Sequence, residues 1–156
     1  MKITTFLKRE FIIEELQAAT KEAVLAELAA VLMPAGSTDD RGNMVKVLMD
    51  RERLGSTGIG DGIAIPHGKI GGLDDLRIAI GRSHQGVDFN ALDGKPAHLF
   101  FLLMVPENSA GQHLKVLARI SRLLKDNVLR KNLMEAKSAA ELFNLLVEQD
   151  NLISLT

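Results

Sequence analysis

The chain has 156 residues, of which 46% are hydrophobic and 25% charged, and its formal net charge is −1. This balance is typical of a folded globular protein and gives no support for nucleic-acid binding. The absence of cysteine excludes disulfides, thiolate metal ligands and cysteine nucleophiles, and no Trp or Tyr offers an aromatic binding platform. We expect a single domain over residues 1–156, cytoplasmic, with no signal peptide and no direct membrane insertion.

The first third of the chain predicts one strand and two helices. Residues 11–16 read as a short strand. Thr20 is then expected to cap a helix that Pro34 and Gly36 end, because its apolar residues recur at helical spacing. A second helix is predicted to begin after Thr38 and to run to about Leu54. Its inward face would consist of Met44, Val45, Leu48 and Met49.

The remainder predicts two further strands and three helices. Residues 76–83 alternate in polarity, and residues 99–105 are typical of a strand buried on both faces, entered by a turn at 93–96. Capping boxes at 109–112 and 138–141 would open two helices, with a short helix from Asn127 to Met134 between them. The first of these helices would turn one face inward, formed by Leu114, Leu117, Ile120 and Leu124. Helices around central strands predict an α/β layer architecture.

Residues 55–68 contain five glycines and one proline, and they end with His67 between Pro66 and Gly68. A loop so rich in glycine allows backbone N–H groups to approach an anion closely. A β-turn or bulge that needs positive φ explains the same glycines equally well. The segment matches neither the Walker A loop nor G-x-G-x-x-G, and it lacks the spacing of a serine-nucleophile elbow.

Of the four histidines, His67 and His113 are the candidates for chemistry. A neutral imidazole has one free lone pair, and a backbone carbonyl bonded to its other nitrogen would aim that nucleophile. His113 is expected in the first turn of its helix, where the macrodipole favours a phosphate. His98 reads as a hydrogen-bonded structural residue and His84 as a loop residue, and no spacing among the four predicts a metal site.

The motif Ser56-Thr57-Gly58-Ile59-Gly60-Asp61-Gly62-Ile63-Ala64-Ile65-Pro66-His67-Gly68, with the later Leu103-Met104-Val105-Pro106 and His113-Leu114, resembles the fructose/mannitol-type enzyme IIA of the bacterial phosphotransferase system. The sequence of the motif is most similar to that of the nitrogen-regulatory IIA proteins. The resemblance implies a mixed five-stranded sheet with helices on both faces, a three-layer α/β/α sandwich of the mannitol-type enzyme IIA fold.

The resemblance also implies roles for particular residues. His67 would accept a phosphoryl group on Nε2, His113 would be the second active-site histidine, and Arg51 would lie near the phosphate. Ser56 and Thr57 open the motif and are predicted phosphate-binding residues. Asp61 stands where regulatory members often carry Asn, and its negative charge would bear on the choice of partner.

The implied activity is that of a phosphohistidine carrier without cofactor or metal, a transferase in the broad sense. An HPr-like phosphocarrier protein would be the donor, and a downstream regulatory protein would be the target in nitrogen-type signalling. The absence of fused domains in this chain favours that regulatory use. A sugar-specific IIA subunit that passes phosphate to a IIB domain, and a non-catalytic anion-binding module, remain as alternatives.

Overall fold

The protein is described by a computed structural model that covers residues 2–32 and 38–154. After a 3₁₀ turn at Ile3–Thr5, the elements are β1 (Leu7–Ile13), α1 (Lys21–Leu32), α2 (Thr38–Arg53), β2 (Gly58–Gly60), β3 (Ile63–Ala64), β4 (His67–Ile70), β5 (Arg77–Val87), β6 (Ala97–Pro106), α3 (Ala110–Leu123), α4 (Asn127–Glu135) and α5 (Ala139–Ser154). Within these ranges, no helix combines the length and the apolar composition that crossing a bilayer requires.

The strands form one mixed sheet in the order β1-β5-β6-β3-β2, with β4 also paired to β6. Strand β5 is parallel to β1 and antiparallel to β6, whereas β3 and β4 both run parallel to β6. The two short strands keep one register, since Ile63 pairs with Leu99 and His67 with Leu103. The predicted mixed α/β sheet is confirmed, with six strands where the resemblance implied five.

Helices cover both faces of this sheet, as expected for three layers. Alternate residues of β6 point to opposite sides because the side-chain period of a strand is two. Leu99, Phe101 and Leu103 pack with α3, α4 and α5, while Phe100 and Leu102 pack with α1 and α2. The prediction that this strand is buried on both faces is confirmed.

Two tight backbone positions hold the region around β4 together. Asp61 and Gly62 have φ of 57° and 77° and form the two-residue turn between β2 and β3, a conformation that Asp-Gly favours. A Cβ on Gly68 would lie 2.7 Å from Cγ1 of Val47, so glycine allows α2 to pack directly on β4. The turn interpretation of the glycine-rich segment is therefore correct at Asp61 and Gly62, whereas Gly68 has no positive φ and is required for packing against α2.

Several predicted helix starts agree with the structure. Thr20 caps α1, since its Oγ1 accepts a hydrogen bond from the N–H of Ala23 at 3.3 Å. Ser138 caps α5 in the same way through the N–H of Glu141 at 3.1 Å. Helix α2 begins at Thr38, one residue before the predicted start, and buries Met44 and Leu48 as expected. Pro34 and Gly36, the predicted end of α1, lie outside the described residues.

Two predicted helix caps were wrong, because a different hydrogen bond forms at each helix start. Ser109 makes no capping bond, since its hydroxyl donates to the carbonyl of Pro106 at 2.7 Å. Asp126, not Asn127, caps α4 and accepts from the N–H of Val128 and Leu129.

The buried faces and strand limits also differ from the predicted ones in places. Helix α3 is turned so that Val116 is buried while Leu114 is 68% exposed. Strand β1 begins at Leu7, four residues early, because an edge strand tolerates the exposed charges that hid its pattern. His84 lies within β5 and not in a loop.

Candidate functional site

The glycine-rich loop connects the end of α2 to the sheet, and buried Glu52 anchors it. The Glu52 carboxylate accepts hydrogen bonds from the N–H and the hydroxyl of Thr57, and it pairs with Nζ of Lys21 at 2.9 Å. The hydroxyl of Ser56 donates to the carbonyl of Phe89 and accepts from the N–H of Gly58. Hydrogen bonds from the hydroxyls of Ser56 and Thr57 thus hold the loop against the rest of the protein.

These bonds bear on the predicted phosphate contacts of Ser56 and Thr57. Both hydroxyls donate to protein oxygens, and Thr57 is only 5% exposed. The N–H groups of Thr57, Gly58 and Asp61 also donate to side chains of the protein. Binding of a phosphate by these two residues stays a prediction, and it would require some of these hydrogen bonds to be exchanged.

His67 opens β4, two residues after the carbonyl to which its ring is bonded. The apolar run at residues 63–65 predicts an inward-packed strand whose end carries His67. In the structure that strand ends at Ala64, and buried Ile65 and Pro66 connect it to His67 in β4. Nδ1 of His67 lies 2.9 Å from the carbonyl oxygen of Ile65. Because a carbonyl only accepts, Nδ1 carries the proton and Nε2 holds the free lone pair of the neutral ring.

His113 lies in the first turn of α3, as predicted, and beside His67. The two ring centroids are 5.2 Å apart and the rings meet edge to face at 64°. Nε2 of His113 is buried and has no hydrogen-bond partner among the described residues. Pairing of the two histidines, which are 46 positions apart in the sequence, is therefore a feature of the fold.

Both histidines are held in the neutral form. Burial is the largest effect and lowers the pKa of His67. The hydrogen bond to the Ile65 carbonyl raises this pKa, the Arg51 charge lowers it and Glu52 raises it slightly, so that the net pKa is lowered. Burial likewise lowers the pKa of His113, and the neighbouring His67, Lys69 and Arg51 act in the same direction. A neutral imidazole with a fixed tautomer is the state in which a histidine can act as a nucleophile.

Arg51 and Lys69 supply positive charge to this region. Arg51 stands at the end of α2, where its Nη1 donates to the carbonyl of Gly55 at 2.9 Å, and its charge acts on both imidazoles. Lys69 was not singled out from the sequence, although it lies two residues after His67 on the same strand. That spacing of two places both side chains on one face of β4 and was a usable signal.

The other two histidines are engaged elsewhere. Nδ1 of His98 bonds to the carbonyl of Ser83 at 2.8 Å, in agreement with its interpretation as a hydrogen-bonded residue. His84 bridges Glu15 through Nδ1 and the carbonyl of Met134 through Nε2. Burial raises the pKa of Glu15, but the hydrogen bonds from His84 outweigh it and the net pKa is lowered.

Comparison with known proteins places this fold and site in a family. Residues 5–149 match the family described as "Phosphoenolpyruvate-dependent sugar phosphotransferase system, EIIA 2". The chain is 41% identical over 150 residues to the fructose-specific EIIABC component of Bacillus subtilis. This alignment covers 96% of this chain and 24% of that protein. It therefore spans about a quarter of the length of that relative.

Two solved structures share the fold. Nitrogen regulatory protein IIA-Ntr from Neisseria meningitidis aligns with a TM-score of 0.85 and 35% identity, over 92% of this chain and 98% of that one. IIA mannitol from Escherichia coli aligns with a TM-score of 0.71 and 25% identity, over 89% and 97% of the two chains. The predicted mannitol-type architecture and the resemblance to nitrogen-regulatory proteins are confirmed, and the chain belongs to the EIIA type 2 family of the phosphoenolpyruvate-dependent phosphotransferase system.

Proposed function

We propose that the chain is a phosphohistidine carrier that accepts a phosphoryl group on Nε2 of His67 from an HPr-like protein. The observation that carries the proposal is the bond from Nδ1 of His67 to the carbonyl of Ile65, which leaves Nε2 as the nucleophile. In the transfer, a bond forms between phosphorus and Nε2 of His67 while the phosphorus–nitrogen bond of the donor phosphohistidine breaks. The electron pair of that bond leaves with the donor imidazole, which then takes up a proton.

The groups around His67 suit a phosphoryl acceptor that works by positioning and charge stabilisation. Buried polar atoms normally have hydrogen-bond partners, and a phosphoryl oxygen on His67 would supply one for Nε2 of His113. Arg51 and Lys69 would offset the charge of the incoming group. The carrier step needs no metal or cofactor, and we place it in the cytoplasm, where phosphoenolpyruvate is made.

Within this activity we favour nitrogen-type regulatory signalling, in which a downstream regulatory protein reads the phosphorylation state. The support is the 35% identity and close structural match to IIA-Ntr. The 41% identity to a fructose-specific component supports the second candidate, transfer from His67 to a IIB domain. Adding a purified IIB domain to the phosphorylated chain separates the two, because loss of phosphate from His67 to the IIB domain would favour the sugar-specific use.

The test of the carrier function is phosphoryl uptake followed by intact-mass analysis. The chain is incubated with phosphoenolpyruvate, enzyme I and an HPr-like protein. We expect one phosphate on the wild type, none on His67→Ala, and full uptake by His84→Ala, the matched control for loss of a histidine outside the pair. Phosphate on His67→Ala would contradict the assignment, and no phosphate on any chain would favour an anion-binding module.

The same system distinguishes the acceptor from its neighbours. His113→Ala and Arg51→Gln should still be phosphorylated on His67, since neither His113 nor Arg51 forms a covalent bond with the transferred group. Loss of one preorganised donor typically lowers a transfer rate by about 10²–10³-fold. His113→Gln keeps a hydrogen-bond donor and should lose less. Rapid-quench rates equal to that of the wild type would remove both residues from the proposed mechanism.

A further inference from the structure

A cavity lies between the β2–β3 turn and helix α4, in a part of the sheet away from His67. Its volume is about 220 Å³. The side chains that line it and enter the argument are Asp61, His98, Leu99, Arg130, Lys131 and Met134. Leu99 and the partner of His67, Leu103, are four residues apart on β6, which is about 13 Å along a strand. The cavity is therefore separate from the histidine pair.

Opposite charges face this cavity from two different elements. Asp61 stands on the β2–β3 turn, whereas Arg130 and Lys131 stand on α4. All three residues are described, and no ion pair within 4.0 Å joins the carboxylate to either cation. The site thus presents a negative group and two positive groups that do not neutralise each other directly.

Two of the four polar side chains are held in place before any ligand arrives. Arg130 donates through Nη1 to the carbonyl of Leu124 and through Nη2 to Oδ1 of Asn127, so its guanidinium is fixed and keeps further N–H donors. His98 donates from Nδ1 to the carbonyl of Ser83, which makes Nε2 an acceptor in the neutral ring. The lining therefore combines the fixed donor Arg130 and the exposed ammonium of Lys131 with acceptors on Asp61 and His98.

The remainder of the lining is apolar. Leu99 is buried and Met134 is half-buried, and both face the cavity. A pocket with an aliphatic lining favours an aliphatic group on its ligand, because burial removes apolar surface from water. A methionine in such a lining adapts to ligands of slightly different shape.

We propose that this cavity binds a free α-amino acid with an aliphatic side chain. Its carboxylate would pair with Arg130 and Lys131, its ammonium group with Asp61 and Nε2 of His98, and its side chain would contact Leu99 and Met134. A simple anion would leave the carboxylate of Asp61 without a counter-charge. A simple cation would leave Arg130 and Lys131 without one. The zwitterion satisfies both ends at once.

The test is an NMR titration of the full ¹⁵N-labelled chain with L-leucine as the probe. We expect saturable amide shifts at Gly62, His98 and Leu99 and little change at His67. Two matched compounds each lack one charge: 4-methylpentanoate has no ammonium group and 3-methylbutylamine no carboxylate. Both should bind at least several-fold more weakly. Equal binding of either compound, or shifts that never saturate, would overturn the proposal.

Two variants test whether the Asp61 carboxylate belongs to the binding site. Asp61→Asn keeps a residue that tolerates the positive φ of the turn, so the fold should persist. It should raise the Kd of L-leucine about fivefold, the factor expected for one partly exposed ion pair. It should not raise the Kd of 4-methylpentanoate, because this anion has no ammonium group for Asp61 to bind. Asp74→Asn removes the same charge at an exposed position elsewhere and should bind like the wild type. An unchanged Kd for Asp61→Asn would overturn the assignment.

This result is independent of the phosphoryl proposal. The titration needs no donor protein, and its expected shifts lie away from His67. Phosphoryl uptake with no response to leucine would overturn the amino-acid site alone, whereas leucine binding without uptake would overturn the carrier function alone.

Discussion

At the scale of single residues, the chemistry depends on which ring nitrogen of His67 carries the proton. The Ile65 carbonyl assigns that proton to Nδ1, and burial keeps the ring neutral. The sequence predicted a carbonyl in this role but could not say which one. Ile65 lies only two positions before His67, at the break between β3 and β4.

The lowered pKa of His67 predicts its behaviour with pH. Because the unfolded chain has an ordinary histidine pKa near 6.5, the unfolded state binds more protons than the folded state just below that pH. The free energy of unfolding should therefore decrease as the pH falls through about 6.5, and the nucleophile should stay neutral to lower pH than a free histidine.

An NMR titration of the His67 ring protons measures this pKa without any donor protein. Removing the Arg51 charge should move the midpoint upward, so Arg51→Gln should titrate at a higher pH than the wild type. Arg53→Gln, an exposed neighbour paired with Asp50, is the matched control and should leave the midpoint in place. A wild-type midpoint above 6.5 would contradict the predicted direction.

At the scale of elements, the position of β4 depends on how closely α2 can approach it. Gly68 is the contact point, since any Cβ there would overlap Cγ1 of Val47. From the sequence alone, Gly68 next to His67 is expected to leave the imidazole uncrowded on one side. The structure shows that its main role is on the opposite side, toward α2.

Gly68→Ala should therefore destabilise the fold. Overpacking of this kind typically costs about 1–3 kcal/mol in the free energy of unfolding, measured by urea denaturation. Gly42→Ala is the matched control, because a Cβ at Gly42 in α2 meets nothing within 4 Å. That substitution should be neutral or stabilising, since alanine is the better helix former. Equal stability of Gly68→Ala and the wild type would mean that Val47 moves aside freely.

At the scale of the whole molecule, a buried carboxylate joins the two ends of the chain. Asp150 of α5 is fully buried and accepts hydrogen bonds from the N–H and the hydroxyl of Thr4 in the first turn of the protein. It also pairs with Nε of Arg119 in α3 at 2.7 Å. The 3₁₀ turn, α3 and α5 therefore meet at one residue.

Removing this carboxylate should lower global stability. Loss of one partner of a buried pair typically costs about 3–5 kcal/mol because the remaining charge is poorly compensated, so Asp150→Ala should lower Tm in calorimetry. Asn151→Ala is the control, since the Asn151 side chain is exposed and accepts a hydrogen bond from the Lys2 ammonium at the surface. It should stay within about 0.5 kcal/mol of the wild type. A Tm for Asp150→Ala equal to that of Asn151→Ala would contradict a structural role.

The sequence by itself determined the features that depend on local spacing. Alternating or continuous apolar residues predicted β6 and the buried face of α2, and the caps at Thr20 and Ser138 followed from short-range hydrogen bonding. These features are decided within a few residues of the chain, where period and side-chain type are sufficient. The motif through His67 identified the family for the same reason, since it is one continuous segment.

Only the tertiary structure decided which segments meet. His67 and His113 lie 5.2 Å apart because β4 pairs with β6 and α3 packs against that sheet, and no local spacing records either event. The same holds for Glu52, an ordinary charged residue of α2 in the sequence, which becomes the buried anchor of the loop. Sheet order and the burial of polar groups depend on the packing of whole surfaces, and whole surfaces exist only in the folded chain.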